Sequence, residues 1–371
     1  MLGGCIDRYS LDDIADTTPK LVVDASIVDT DEEQIIKLSY SSTDEYPKFE
    51  GVSNCDVQII DEAGDRFFAA SDNNNKGYYK ITIPDEFLVI GKRFQLMIST
   101  PDNKSYKSCF EELLPSPPVN AVYFNVEHHE TSQIGNKIDG LQFYTDFEGT
   151  SYFGNYYRWV IEETYEYHST WPIKNYLDVD GFHTPPIDFS KFICYKTEIN
   201  NSIFLLSTNG LTENKYKKAK LHFVDDRSQR LMFNYSILIK QRSLSEQAYL
   251  YWENVKKNNQ ETAGLFTKQP AMPKGNIFNE TDSSEVVLGY FTLSSETTKR
   301  IVIEDVPELL FNHYHFCTAN PFSGPLPLDP RPMYWVSYVL FDGTVTMGYT
   351  SEECVDCTFH GGVVDKPYFF K

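Results

Sequence analysis

Tyr156-Tyr157-Arg158-Trp159-Val160-Ile161-Glu162-Glu163 decides the fold class. Successive residues of an extended chain point to opposite faces, so Tyr157, Trp159 and Ile161 line up on one side and Arg158 and Glu162 on the other. That is the pattern of a strand with one buried face. Phe233-Asn234-Tyr235-Ser236-Ile237-Leu238-Ile239-Lys240 and Val286-Val287-Leu288-Gly289-Tyr290-Phe291-Thr292-Leu293 repeat it. The 371-residue chain holds 25 Tyr and 26 Phe against 6 Met, a bias that suits pleated surfaces better than helices. A mainly β protein is expected.

Upstream, short apolar runs alternate with turn clusters from Leu21 to about Pro115. Strands are predicted at Leu21 to Ile27, Gln34 to Ser39, Cys55 to Asp61, Arg66 to Ala70, Tyr78 to Ile83, Arg93 to Ser99 and Tyr106 to Phe110. Asp61-Glu62-Ala63-Gly64 and Asn73-Asn74-Asn75-Lys76-Gly77 supply turns. About seven strands in roughly 95 residues is the arithmetic of an immunoglobulin-like sandwich. Pro115-Ser116-Pro117-Pro118 then breaks any ladder. The expected organisation is a leader over 1–20, an N-terminal immunoglobulin-like β-sandwich over 21–115 and a larger β-rich domain over 116–371. That last domain carries one prominent amphipathic helix. Ser243-Leu244-Ser245-Glu246 fits a capping box at its start, and Ala248, Tyr251, Trp252 and Val255 recur at helical spacing as a core-facing stripe.

The formal charge of -20 is spread along the chain. It argues against nucleic acid as a partner, since phosphate neutralisation needs clustered Lys and Arg, and it disfavours anionic lipid surfaces. A solvated acidic surface is the plain reading, with cation binding as the other. No apolar run approaches the ~20 residues a membrane helix needs.

Leu2-Gly3-Gly4-Cys5 resembles the lipobox of a bacterial lipoprotein, which marks Cys5 as a lipidation site and so a membrane anchor. The polar, acidic stretch from Ile6 to Lys20 suits a tether. Asp7, Asp12 and Asp13 resemble the acidic signal that sends Bacteroidota lipoproteins to the outer face of the outer membrane, and Asp16-Thr17-Thr18 resembles an O-glycosylation acceptor. Six further cysteines, Cys55, Cys109, Cys194, Cys317, Cys354 and Cys357, suit disulfides in an oxidising compartment. Six cysteines allow 15 pairings, among which sequence does not choose; Cys55 with Cys109 is one, both lying in the first region. The competing reading is a metal site built from His313, His315, Cys317, Cys354, Cys357 and His360, since thiolates and imidazoles at close spacing can complete a tetrahedral zinc site. Free or redox-active thiols are a third. The Gly-x-Ser-x-Gly, His-Glu-x-x-His, Walker and Gly-x-Gly-x-x-Gly signatures are absent from the sequence. No cofactor is implied, and His128-His129 reads as an exposed loop border.

Glu353-Cys354-Val355-Asp356-Cys357-Thr358-Phe359-His360-Gly361-Gly362, followed by Lys366-Pro367-Tyr368-Phe369-Phe370, resembles the closing signature of the domain of unknown function 4249 family. Gln241-Arg242-Ser243-Leu244-Ser245 with Tyr251-Trp252, Gly275-Asn276-Ile277 and Val287-Leu288-Gly289-Tyr290-Phe291 resemble the same family. Phe369-Phe370 departs from it where an aromatic pair with Trp is common. The resemblance implies a cell-surface outer-membrane lipoprotein of Bacteroidota, partnered with a TonB-dependent β-barrel, and no catalytic residues. The expected function is therefore a non-enzymatic accessory subunit for ligand capture or assembly. The alternatives are a surface hydrolase of glycans or peptides built on an acidic pair, and a structural or adhesive lipoprotein.

Overall fold

The computed structural model describes residues 18–30, 32–42, 49–130, 137–261, 273–304, 306, 309, 317–321, 332–340 and 343–371. Cys5 and most of its leader, and His313 and His315, lie outside them. The chain is mainly β, as its alternation predicts. It forms two compact units, 1–116 with 243–296, and 117–242 with 297–371. A single division at 115/116 therefore does not describe it. The segment Ser243–Glu296, helix included, clusters with the N-terminal strands and not with the larger β-rich region to which its sequence position assigned it.

The first unit holds one continuous ladder. Its order is Ile277–Asn279, Ser105–Ser108, Arg93–Ser99, Asp56–Asp61, Arg66–Ser71, Tyr78–Ile81, Gln34–Tyr40, Leu21–Val28 and Leu288–Ser294. Two-residue strands at Glu50–Gly51 and Glu111–Glu112 pair at its sides. Seven of these strands match the expected ones to within two residues. The strand Arg66–Ser71 turns the corner, its first residues pairing with Asp56–Asp61 and its last two with Tyr78–Ile81. Alternate residues such as Val23, Ala25, Ile27, Ile36, Leu38, Val57 and Ile59 share one buried core with Phe94, Leu96, Phe291 and Leu293.

Two strands from outside 21–115 join this ladder, Ile277–Asn279 at one end and, at the other, Leu288–Ser294. It runs parallel to Leu21–Val28, from Val22 opposite Leu288 to Val28 opposite Ser294. A parallel neighbour must arrive by a long crossover, here residues 29–287, which include the second unit's first segment. The close approach requires glycine: a Cβ on Gly289, whose φ is +101°, would lie 1.9 Å from the Val23 carbonyl oxygen, and one on Gly275 would lie 1.8 Å from that of Gly289.

Glu111 fastens the returning segment. Its carboxylate accepts from Ser245 Oγ at 2.9 Å, Asn276 Nδ2 at 3.0 Å and the Tyr290 hydroxyl at 2.8 Å. Burial pushes the carboxyl above the usual range, against the pull of these donors. Ser245 is also the helix cap, since its Oγ accepts from the Ala248 amide at 3.2 Å in the N-cap position. The expected Ser243 cap is thus displaced by two residues, and Ser243 Oγ donates instead to the Leu114 carbonyl. The helix spans Glu246–Glu261. Ala248 is buried, and the Tyr251 ring lies 5.0 Å from that of Tyr290.

In the second unit a three-stranded sheet, Ala121–Glu130, Lys137–Glu148 and Lys215–Asp225, shares a core with a five-stranded one. The latter runs Ile193–Ile199, Tyr156–His168, Tyr235–Ser243 and Glu296–Ile303, with Phe204–Ser207 also on Tyr156–His168. Tyr157, Trp159 and Ile161 are buried between them, as the opening alternation requires, against Phe143, Phe147, Ile237 and Ile239. A further five-stranded sheet contains Asn175–Asp178, Gly181–His183, Asn320–Pro321, Met333–Val339 and Val345–Thr350. Among the described residues no helix is long and apolar enough to cross a membrane.

Candidate functional site

The odd-numbered face of Tyr156–His168 leads from the core to the site. After Ile161 come Glu163, Tyr165 and Tyr167. Glu163 is buried and ends the apolar core with a charge cluster. His222 Nε2 lies 2.9 Å from its Oε1, while Arg230 Nη1 donates to Oε2 at 3.1 Å and the Tyr235 hydroxyl at 2.9 Å. Burial alone would raise this carboxyl, but His222, Arg230 and Tyr235 override it and hold it down at about 2.

Beyond Glu163 the face opens into a groove. One lobe, about 340 Å³, is bounded by Tyr165, Tyr167, Lys196, Glu198, Gln229 and Arg230, with His360 at its end. A second lobe, about 350 Å³, shares Tyr167, Gln229 and His360 and continues to His168, Thr170 and Glu353. The two lobes adjoin at these shared residues. The short helix Gln229–Leu231 supplies one wall and the C-terminal turn Cys357–His360 the other. The charges are spoken for. Lys196 Nζ lies 2.7 Å from Glu198 Oε1, and the Tyr165 hydroxyl donates to Glu198 Oε2 at 3.0 Å. The Lys196 contact keeps the Glu198 carboxyl below its usual range. His168 Nε2 lies 2.8 Å from Glu166 Oε1, with its ring stacked 3.7 Å from Phe233.

The Cys-x-x-Cys fixes the second wall. Cys357 is bonded to Cys194 and Cys354 to Cys317, so each cysteine of the motif is tied to a distant strand or loop and not to its neighbour. This closes the thiolate route to the proposed metal site of His313, His315, Cys317, Cys354, Cys357 and His360. Among the described residues no three His, Cys, Asp or Glu side chains gather at metal-binding distance. His360 Nε2 lies 3.2 Å from the Glu353 carbonyl oxygen instead.

Cys55 and Cys109 are free thiols, correcting their place among the disulfide candidates. Cys55 precedes Asp56, which pairs with Ser99, whereas Cys109 follows Ser108 at the other end of the neighbouring ladder. They are offset by about five residues, roughly 17 Å at ~3.4 Å per residue, and a disulfide needs Cα atoms within ~7 Å.

The rest of the C-terminal signature is a clamp. Asp356 Oδ1 accepts from the Thr358 amide at 2.9 Å, and its other oxygen binds Lys191. Gly361 ends the turn at φ +80°, and a Cβ on Gly362 would lie 2.3 Å from the Tyr167 hydroxyl. That hydroxyl donates to the Cys357 carbonyl at 2.7 Å. Val363 pairs with Tyr195, Phe370 packs near the Tyr195 ring, and the Arg300 guanidinium sits 4.0 Å over Phe369. His128 and His129 end the strand Ala121–Glu130: His128 Nδ1 lies 2.6 Å from Asp139 Oδ1, and His129 stacks on Phe223.

Sequence reasoning did not single out Glu163, Tyr165, Tyr167, Gln229 or Arg230. The signal was present in one respect: the strand alternation continues past Ile161, and a Glu on an otherwise apolar face demands buried partners. A search of curated proteins returns no match. The profile described as "Domain of unknown function (DUF4249)" matches residues 6–300, and the chain belongs to that family.

Proposed function

We propose that the protein is a non-enzymatic, surface-exposed lipoprotein, anchored in the outer membrane through Cys5, that serves as an accessory subunit of a TonB-dependent β-barrel. The groove of the second unit is its ligand contact. The observation that carries this reading is a preformed groove whose ionisable side chains already have protein partners. Such a groove can order a ligand without rearranging its own charges. Hydrolysis by paired carboxylates needs one acid held protonated near neutral pH; here Glu163 is driven down to about 2 and Glu198 is lowered as well. Two disulfides support an exported location, because such bonds persist in oxidising compartments.

The test is affinity purification of the tagged full-length protein from detergent-solubilised native outer membranes. A TonB-dependent barrel should be recovered with the wild type and with Cys5→Ser protein added back to the same membranes. Recovery of no barrel in either case refutes the accessory role.

A further inference from the structure

We propose that the first unit carries a second, separate binding site for a neutral oligosaccharide, in the groove between the segment Phe49–Asn54 and the turn Asn74–Tyr78. This goes beyond the accessory role and does not depend on the groove of the second unit. The cavity is about 940 Å³, at the upper end of the ~300–1,000 Å³ range of ligand pockets, so it takes several rings and not a single sugar.

Three aromatic rings supply flat apolar faces. Phe49 is 53% exposed and Tyr40 37%, and Tyr78 lies 5.6 Å from Phe49 in an edge-on arrangement. Lys37 Nζ lies 5.4 Å from the Tyr78 ring centroid, so Tyr78 is part of the wall, while Phe49 and Tyr40 leave exposed ring surface around the same concavity. Around them stand polar side chains with no partner among the described residues. Asn54 and Asn74 present free amides, and Lys76 and Glu50 present one charge of each sign. An amide both donates and accepts, which matches a hydroxyl, and the opposite charges leave the site without net preference for an ion. Apolar ring faces combined with uncommitted amides match the alternating C–H faces and hydroxyl edges of a pyranose.

The groove is also built, not merely left open. Gly51 and Gly77 press backbone to backbone: a Cβ on Gly51 would lie 2.1 Å from the Lys76 carbonyl oxygen, and one on Gly77 would lie 2.5 Å from the Gly51 Cα. The Leu38 amide donates to the Gly77 carbonyl and the Val52 amide to the Leu38 carbonyl, at 2.8 and 2.9 Å. The Tyr79 hydroxyl, fully buried, donates to the Val52 carbonyl at 2.8 Å and accepts from the Cys55 amide at 3.0 Å. It therefore pins the loop that presents Asn54 in its left-handed conformation, φ +60°. A rigid concave wall of this kind needs no ordering on binding, which is where weak polar ligands lose most affinity.

The test is titration calorimetry of the intact protein with soluble hexasaccharides of β-1,4-glucose, β-1,3-glucose, β-1,4-mannose and β-1,4-N-acetylglucosamine. At least one should bind, and Phe49→Ala and Asn74→Ala should each weaken it by about tenfold, while Leu250→Ala, an exposed helix position outside both grooves, leaves it unchanged. Both groove side chains are exposed, so circular dichroism should report a folded protein in each variant. Failure of all four sugars to bind overturns the proposal. So does binding that survives Phe49→Ala with Asn74→Ala, or that is lost in Leu250→Ala.

Discussion

Glu163→Gln is the most direct probe of how the groove is held. In the folded chain the Glu163 carboxyl sits at about 2, against ~4.3 for an unperturbed Glu. A carboxyl with a depressed folded value contributes stability that is fully present above its unfolded value and is lost as pH falls through the folded one. At ~1.36 kcal/mol per unit, the carboxylate with His222, Arg230 and Tyr235 is worth about 3 kcal/mol at pH 7. By the same linkage about half of that remains at pH 3 and little at pH 2. Glutamine keeps the shape but loses the charge, so Glu163→Gln should cost about 3 kcal/mol at pH 7. Urea unfolding followed by tryptophan fluorescence reads this, because Trp159, Trp171 and Trp335 all lie in the second unit. The gap between variant and wild type should hold from pH 7 to about pH 5 and narrow from there to pH 3. A cost under ~1 kcal/mol at pH 7, or a gap of constant size down to pH 3, would refute the assignment of a charge cluster beneath the groove.

Three further outcomes follow from the geometry. Non-reducing peptide mapping should recover Cys194 linked to Cys357 and Cys317 linked to Cys354, with iodoacetamide modifying exposed Cys109 quickly and Cys55 slowly, since burial pushes the Cys55 thiol up; removing the first bridge as Cys194→Ser with Cys357→Ser should cost about 2–4 kcal/mol. Gly289→Ala should lower stability by about 3 kcal/mol or more in thermal unfolding, because the added methyl meets the Val23 carbonyl, whereas Gly64→Ala, in open space at φ +97°, should cost only about 1 kcal/mol. Glu111→Ala removes the acceptor of Ser245, Asn276 and the buried Tyr290 hydroxyl and should cost about 2–4 kcal/mol, read most clearly as faster amide exchange along Leu288–Ser294, while Glu111→Gln, which retains an acceptor, should cost about 1 kcal/mol.

Local pattern made the strands legible. Alternation located Arg93–Ser99 to the residue, and Asp61 accepts from the Ala63 and Asp65 amides at 2.9 Å just where a hairpin turn was read. What the pattern did not carry was pairing across long separations. Nothing in Leu288-Gly289-Tyr290 says that its partner is Val22, and nothing in Ser243-Leu244-Ser245-Glu246 says that the second serine, drawn by Glu111, caps the helix. The cysteine connectivity is illegible for the same reason. Local spacing makes Cys354 and Cys357 look like one redox or metal pair, and only the tertiary fold brings Cys194 and Cys317 to them.

The segments by which the family resemblance was read turn out to be joints. Ser245, Asn276 and Tyr290 converge on Glu111; Gly275 and Gly289 permit the parallel strand; Cys354, Cys357 and Gly362 lock the C-terminal turn under Tyr167. Most residues lining the two grooves, among them Phe49, Asn74, Tyr165, Lys196 and Gln229, lie outside those segments, with Glu353 and His360 of the C-terminal signature as exceptions. A frame fixed by joints leaves its grooves free to take different side chains without loss of fold. Substituting signature residues should therefore report on folding, and only substitutions in the grooves can report on what the protein binds.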